Sequence, residues 1–142
     1  VVVQNLVLPR SVDYPSVPRV LVVDDDDDSL MLMGYILEQF ACDACFVVDG
    51  LAALVAARRD RPQLILADIY LPCMDGYDLI RQLRADGSTR KIPVVAVTAL
   101  AGQSHRDKIL AAGFDDYISK PFLIQSLEQL VQQFIGLPSP AA

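Results

Sequence analysis

Short apolar runs alternate with segments of helical spacing from Arg19 to Ile135. The runs at 20–23, 64–67 and 94–97 are continuous, and a shorter one follows at 117–119. Continuous β-rich runs mark strands covered on both faces, as in parallel sheets flanked by helices. The pattern predicts strands near 20–24, 44–48, 63–68, 93–98 and 116–119, and helices near 29–40, 51–59, 76–85, 104–112 and 123–135. Five β-α units make an α/β fold.

Capping signals agree with these segments. Asp28-Ser29 can cap the first helix, Asp75-Gly76 turns into the third, and Gly113 can end the fourth. Leu123, Leu127, Leu130, Val131 and Phe134 give the last helix one core-facing stripe. Residues 1–18, with Pro9, Pro15 and Pro18 and no helical period, read as an extension or linker; 19–136 form the domain, and 137–142 a tail. The missing Met and the proline-containing ends favour a segment excised from a longer protein over a stand-alone one.

Each of four apolar runs ends in a polar group: Asp24-Asp25, Asp68, Thr98-Ala99 and Lys120-Pro121. In open parallel sheets ligands bind where the strand carboxyl ends converge. Any one aspartate there could be a solvated loop residue, but the conjunction predicts a common crevice. Asp24, Asp25 and Asp68 would repel one another without a cation among them, and oxygen ligands of this kind suit Mg²⁺. Lys120, the Thr98 hydroxyl and the Ala99 N–H could each take one oxygen of a phosphoryl group in transfer, with a carboxylate as nucleophile.

Composition narrows the classes. The hydrophobic fraction of 53% over 142 residues argues for one globular unit. A net charge of −6 disfavours direct nucleic-acid binding or an anionic membrane, leaving proteins as the expected partners. No apolar run reaches the roughly 18 residues of a membrane span, and residues 1–8 lack a basic signal-peptide start, so a cytoplasmic location is expected. Cys42, Cys45 and Cys73 suggest neither a disulfide framework nor a shared metal site, because Cys42 and Cys45 should face opposite sides of a strand.

The chain resembles the receiver domains of two-component response regulators over about Arg19 to Ile135. The resemblance rests on Val22-Val23-Asp24-Asp25, Ala67-Asp68-Ile69, Leu71-Pro72, Met74-Asp75-Gly76, Val97-Thr98-Ala99 and Tyr117-Ile118-Ser119-Lys120-Pro121-Phe122. The gaps match as well, with Thr98 30 positions and Lys120 52 positions after Asp68. It implies a doubly wound (βα)5 sandwich with a five-stranded parallel sheet in the flavodoxin-like order 2-1-3-4-5. It also implies that Asp68 accepts a phosphoryl group from a histidine kinase or histidine phosphotransfer protein, as a signalling module rather than a conventional enzyme. Asp25 and Asp68 would hold Mg²⁺ through side chains, Asp24 through water and Tyr70 through its backbone carbonyl.

Further implications concern switching. Thr98 would be the switch hydroxyl, Tyr117 the aromatic group that turns inward when Thr98 moves, and the Lys120-Pro121 bond would be cis. The surface of the fourth helix, fifth strand and fifth helix would then engage a downstream protein partner or a second copy. Tyr70 and Leu100 occupy the positions that tune phosphate lifetime, and both are bulky, which predicts slow self-dephosphorylation. Two rival classes are a magnesium phosphohydrolase with Asp24 as nucleophile and Asp26 as acid/base, and a phosphorylation-independent interaction domain.

Weaker signals have plainer readings. Asp26, Asp27 and Asp28 favour the positive end of the following helix. His105 reads as an exposed helix residue, and Arg81, Arg84, Arg90 and Lys91 as a solvated basic face. The stretch from Leu30 to Leu37 is too apolar for a helix burying one stripe. Its exposed part should be a docking surface for the phosphodonor or be covered by residues 1–8.

Overall fold

The computed structural model of the protein describes residues 17–100 and 102–136. Most of the expected extension and the whole tail lie outside the described residues. Among the described residues five strands, β1 (Arg19–Val23), β2 (Asp43–Val47), β3 (Leu64–Ala67), β4 (Val94–Thr98) and β5 (Asp116–Ser119), alternate with five helices. These are α1 (Asp27–Glu38), α2 (Gly50–Asp60), α3 (Gly76–Ala85), α4 (Gln103–Ala111) and α5 (Ile124–Ile135). All strand pairs are parallel and the order is β2-β1-β3-β4-β5. The predicted topology is therefore the observed one.

The continuous apolar runs are buried on both faces, as their lack of alternation requires. Leu21, Val23, Ile65, Ala67 and Ala96 pack with α2, α3 and Ile109 of α4 on one side. Val20, Val22, Leu66, Val95 and Val97 pack with α1 and α5 on the other. Cys45 lies on the first of these faces and Cys42 on the second, as expected for positions three apart near one strand.

Helix boundaries follow the caps. The N-cap of α1 is Asp26, whose carboxylate accepts from the Ser29 N–H and hydroxyl, both at 3.0 Å. This corrects the expected Asp28-Ser29 cap and starts the helix two residues earlier. Asp49 and Asp75 cap α2 and α3 through the N–H groups of Ala52 and Asp78. Gly113, at φ +117°, ends α4 in a conformation that a side chain rarely tolerates. His105 is half-buried rather than exposed.

Arg84 also departs from expectation. Its guanidinium donates to the carbonyls of Arg90, Ile92 and Gly113 and to the Asp115 carboxylate at 2.7–3.1 Å. Asp115 in turn accepts the Val94 N–H at 2.8 Å. One planar fork thus ties α3 to the start of β4 and the end of α4. It belongs to the scaffold and not to a solvated face.

Candidate functional site

Backbone pairing carries three strand ends to one edge of the sheet. Val23 is in register with Ala67, and Ala67 with Ala96. Beyond the strands, the Asp24 N–H bonds Val47 O at 3.1 Å, the Asp68 N–H bonds Val23 O at 3.0 Å, and the Lys120 N–H bonds Thr98 O at 2.8 Å. The residues following β1, β3 and β5 are therefore fixed by the sheet before any side chain interacts.

Lys120 then joins them. Its Nζ donates to Asp24 Oδ2 at 2.6 Å and to Asp68 Oδ2 at 3.0 Å. Asp24 is fully buried, and its second oxygen accepts the Asp26 N–H at 2.9 Å. Asp68 is half-buried, with Oδ1 held by the N–H groups of Ile69 at 2.6 Å and Tyr70 at 3.3 Å. Burial works to lower the Lys120 pKa, but the hydrogen bonds and charges of the two carboxylates outweigh it and leave the ammonium above its usual range. Lys120 is thus a fixed positive charge beside Asp68.

The remaining residues divide. Thr98 is fully buried at the end of β4, with its Oγ1 3.5 Å from the Leu100 N–H. The Tyr117 hydroxyl donates to Leu100 O at 2.5 Å, and the half-buried ring packs against the core on the α2–α3 side. Ala99, the Tyr70 side chain and Asp25 are exposed. The Lys120-Pro121 bond is cis, as the resemblance implied.

The three acids do not all converge. Among the described residues no three acidic, cysteine or histidine side chains are grouped to hold a metal ion. The ammonium of Lys120 supplies the counter-charge for Asp24 and Asp68 instead, an ion pair that sequence reasoning missed. One ammonium still faces two carboxylates, and both offer oxygens, so the pair with the adjoining Asp25 fits a hard divalent cation. A nucleophilic Asp24 with Asp26 as acid/base fits poorly, because both Asp24 oxygens are engaged in a buried position and Asp26 caps α1.

A protein-family model for the response regulator receiver domain matches residues 20–132. The chain belongs to the response regulator receiver family. Response regulator PleD of Caulobacter vibrioides is 41% identical over 103 residues, 72% of this chain and 23% of that protein. The polar-differentiation response regulator DivK of Brucella anthropi is 34% identical over 117 residues, covering 82% of this chain and 95% of DivK. Sensor protein GacS of Pseudomonas syringae is 36% identical over 123 residues, 84% of this chain and 14% of GacS. Against PleD and GacS, the receiver domain described here spans about a quarter or less of the relative.

Solved structures agree on the fold. The receiver domain of sensor histidine kinase PA1611 from Pseudomonas aeruginosa superposes with a TM-score of 0.78 at 35% identity, covering 85% of this chain and 99% of that one. That crystal structure has a magnesium ion coordinated in its active-site cleft. The chain is accordingly a receiver domain of two-component signalling. No helix among the described residues is long and apolar enough to cross a membrane.

Proposed function

We propose that this receiver domain takes a phosphoryl group from a phosphohistidine onto Asp68 and switches its partner-binding surface in response. The observation that carries the reading is the Lys120 ammonium at 3.0 Å from Asp68 Oδ2. In the step, a new P–O bond to Asp68 forms as the P–N bond of the donor breaks and the imidazole keeps the electron pair. Lys120, the Thr98 hydroxyl and the Ala99 N–H bind phosphoryl oxygens. Asp25 and Asp68 would hold Mg²⁺ through side chains, Asp24 through water and Tyr70 through its backbone carbonyl. Bound there, the ion would supply positive charge beside the transferring phosphoryl group.

The bond between Tyr117 and Leu100 O supports a switching route. Phosphorylation adds roughly −1.5 to −2 charges at Asp68 and gives Thr98 a new acceptor. Moving Thr98 toward the phosphate moves the loop through Leu100, which Tyr117 follows. The surface of α4, β5 and α5 changes with it and engages a downstream protein or a second copy. The phosphodonor is a histidine kinase or histidine phosphotransfer protein, the location is cytoplasmic, and the domain catalyses only its own phosphorylation and slow dephosphorylation. Its limits are 19–136, with residues 1–18 an extension or linker and 137–142 a tail.

Incubation with Mg²⁺ and acetyl phosphate, read by intact mass for the parent and Asp68→Asn, tests the proposal. One phosphoryl adduct, absent in the variant and suppressed by EDTA, is expected. An adduct that persists in Asp68→Asn would move the chemistry to another carboxylate and overturn the assignment.

A further inference from the structure

β2 is an edge strand, and among the described residues it pairs only with β1. The Asp43 N–H bonds Pro18 O at 2.7 Å and the Val47 carbonyl accepts the Asp24 N–H at 3.1 Å. Residues 43, 45 and 47 therefore turn their backbone groups to β1, and Ala44 and Phe46 turn theirs outward. Edges of this kind are ordinarily blunted by lysine, proline or a bulge. The strand Asp43–Val47 has no lysine or proline, and its register with β1 runs without a bulge.

Both faces beside this edge are apolar. On one, Ala44 and Phe46 join Met31 and Tyr35 of α1 around a groove of about 590 Å³. On the other, Val47 joins Leu51 and Val55 of α2 around a groove of about 430 Å³. Met31, Tyr35, Phe46, Leu51 and Val55 are 73%, 59%, 41%, 53% and 55% exposed, a cluster that marks an interaction surface.

The surface asks for a strand edge flanked by apolar helices on both sides, and a second copy of the chain offers one. A two-fold axis at Cys45, normal to the sheet, sets Ala44 opposite the partner's Phe46, and each such pair exchanges both backbone hydrogen bonds. The axis keeps each face on its own side, so α1 meets α1 and α2 meets α2. Asp43, the one charge of the strand, falls opposite the partner's Val47, and like charges do not oppose one another. Covering the five side chains and the edge buries on the order of 600 Å² per copy, about 1,200 Å² in all, within the range of specific interfaces.

We propose that two copies of this domain pair edge to edge through β2, antiparallel about Cys45, into one continuous sheet. The surface lies at the opposite end of the sheet from β5, and the pairing is independent of the chemistry at Asp68.

Sedimentation equilibrium of the full, unphosphorylated chain should show a monomer–dimer equilibrium with a dissociation constant of about 1–100 μM. Phe46→Lys, which places a lysine on the edge, and Tyr35→Glu, on the exposed side of α1, should each weaken it roughly tenfold or more, with circular dichroism checking the fold. Ile124→Lys, at the start of α5, should leave it unchanged. In Cys42→Ser/Cys73→Ser the one remaining thiol is Cys45. Diamide should then join two copies by a Cys45 disulfide, taking up the two electrons and two protons released, because opposed Cα atoms in a non-hydrogen-bonded pair lie about 4.5 Å apart, within disulfide reach. A chain that stays monomeric up to about 1 mM would overturn the proposal. So would a dimer that survives Phe46→Lys and Tyr35→Glu, a dimer lost in Ile124→Lys, or one that diamide does not link.

Discussion

Replacing Gly76 by Ala tests whether the loop that carries Asp68 is braced from behind. An added Cβ at Gly76 would sit 2.7 Å from both the Asp68 carbonyl oxygen and Ile69 Cα, and 3.2 Å from Ile69 O. Ordinary contact begins near 3.4 Å, and the obstacles are backbone atoms with no rotamer to yield. The Gly76 N–H also donates to Ile69 O at 2.6 Å, so the two segments cannot separate without losing that bond. Overpacking of this kind costs about 1–3 kcal/mol. The helix-propensity gain of Ala over Gly, at most about 1 kcal/mol in a helix interior and less in the first turn, offsets only part of it. A net loss of about 1–2 kcal/mol should lower Tm by about 3–10 °C in a domain of this size.

The same displacement should misplace Asp68 relative to Lys120 and slow phosphoryl uptake from acetyl phosphate at a temperature where the variant is fully folded. Gly87→Ala is the control, because a Cβ there meets nothing within 4 Å. That substitution should leave Tm unchanged or raise it slightly by restricting the unfolded chain. A Gly76→Ala protein with the parent's Tm and the parent's phosphorylation rate would refute the argument that the turn after β3 is held by close backbone packing.

Lys120→Met leaves the buried Asp24 carboxylate without its counter-charge and should cost on the order of 2–4 kcal/mol in urea denaturation, less than for a fully buried pair because Asp68 is partly solvated; added Mg²⁺ should recover part of the loss, and an unchanged midpoint would contradict the pairing. Arg84→Ala removes four charge-assisted bonds and should cost about 2–3 kcal/mol, with Arg84→Lys failing to restore it because an ammonium cannot span the same acceptors; full rescue by Lys would show that charge alone matters. Neither Tyr70 nor Leu100 offers a carboxylate or amide to orient water, so phosphate loss followed by intact mass should be slow and should quicken in Tyr70→Asn or Leu100→Glu. A lifetime of only seconds, unmoved by either substitution, would contradict this reading.

The strands were legible because buried parallel strands advertise themselves as unbroken apolar runs, whereas their order came from the resemblance carried by Asp24, Asp68, Thr98 and Lys120 and the residues around them. The start of α1 was not, because five consecutive aspartates offer several caps of equal chemistry. The choice of Asp26 depends on its backbone N–H being held by Asp24, a contact that exists only after β1 is placed. Arg84 looked like one of several surface cations, since its acceptors are backbone carbonyls that carry no sequence signature. The direct bond from Lys120 to Asp24 spans 96 positions and could not be separated, from spacing alone, from two groups that each await a ligand. Gly76 gave a turn signal, but its proximity to the Asp68 backbone emerges only in three dimensions.

The lysine that bridges Asp24 and Asp68 also bears on how the crevice comes to exist. Metal sites built from like charges alone often couple folding to the supply of the ion, so that the apo chain is unstructured. Here the balancing charge is covalently attached, delivered by β5 through the same backbone bond to Thr98 O that closes the sheet. The acidic edge can assemble on the chain's own resources, so the folding of this crevice need not await a divalent cation.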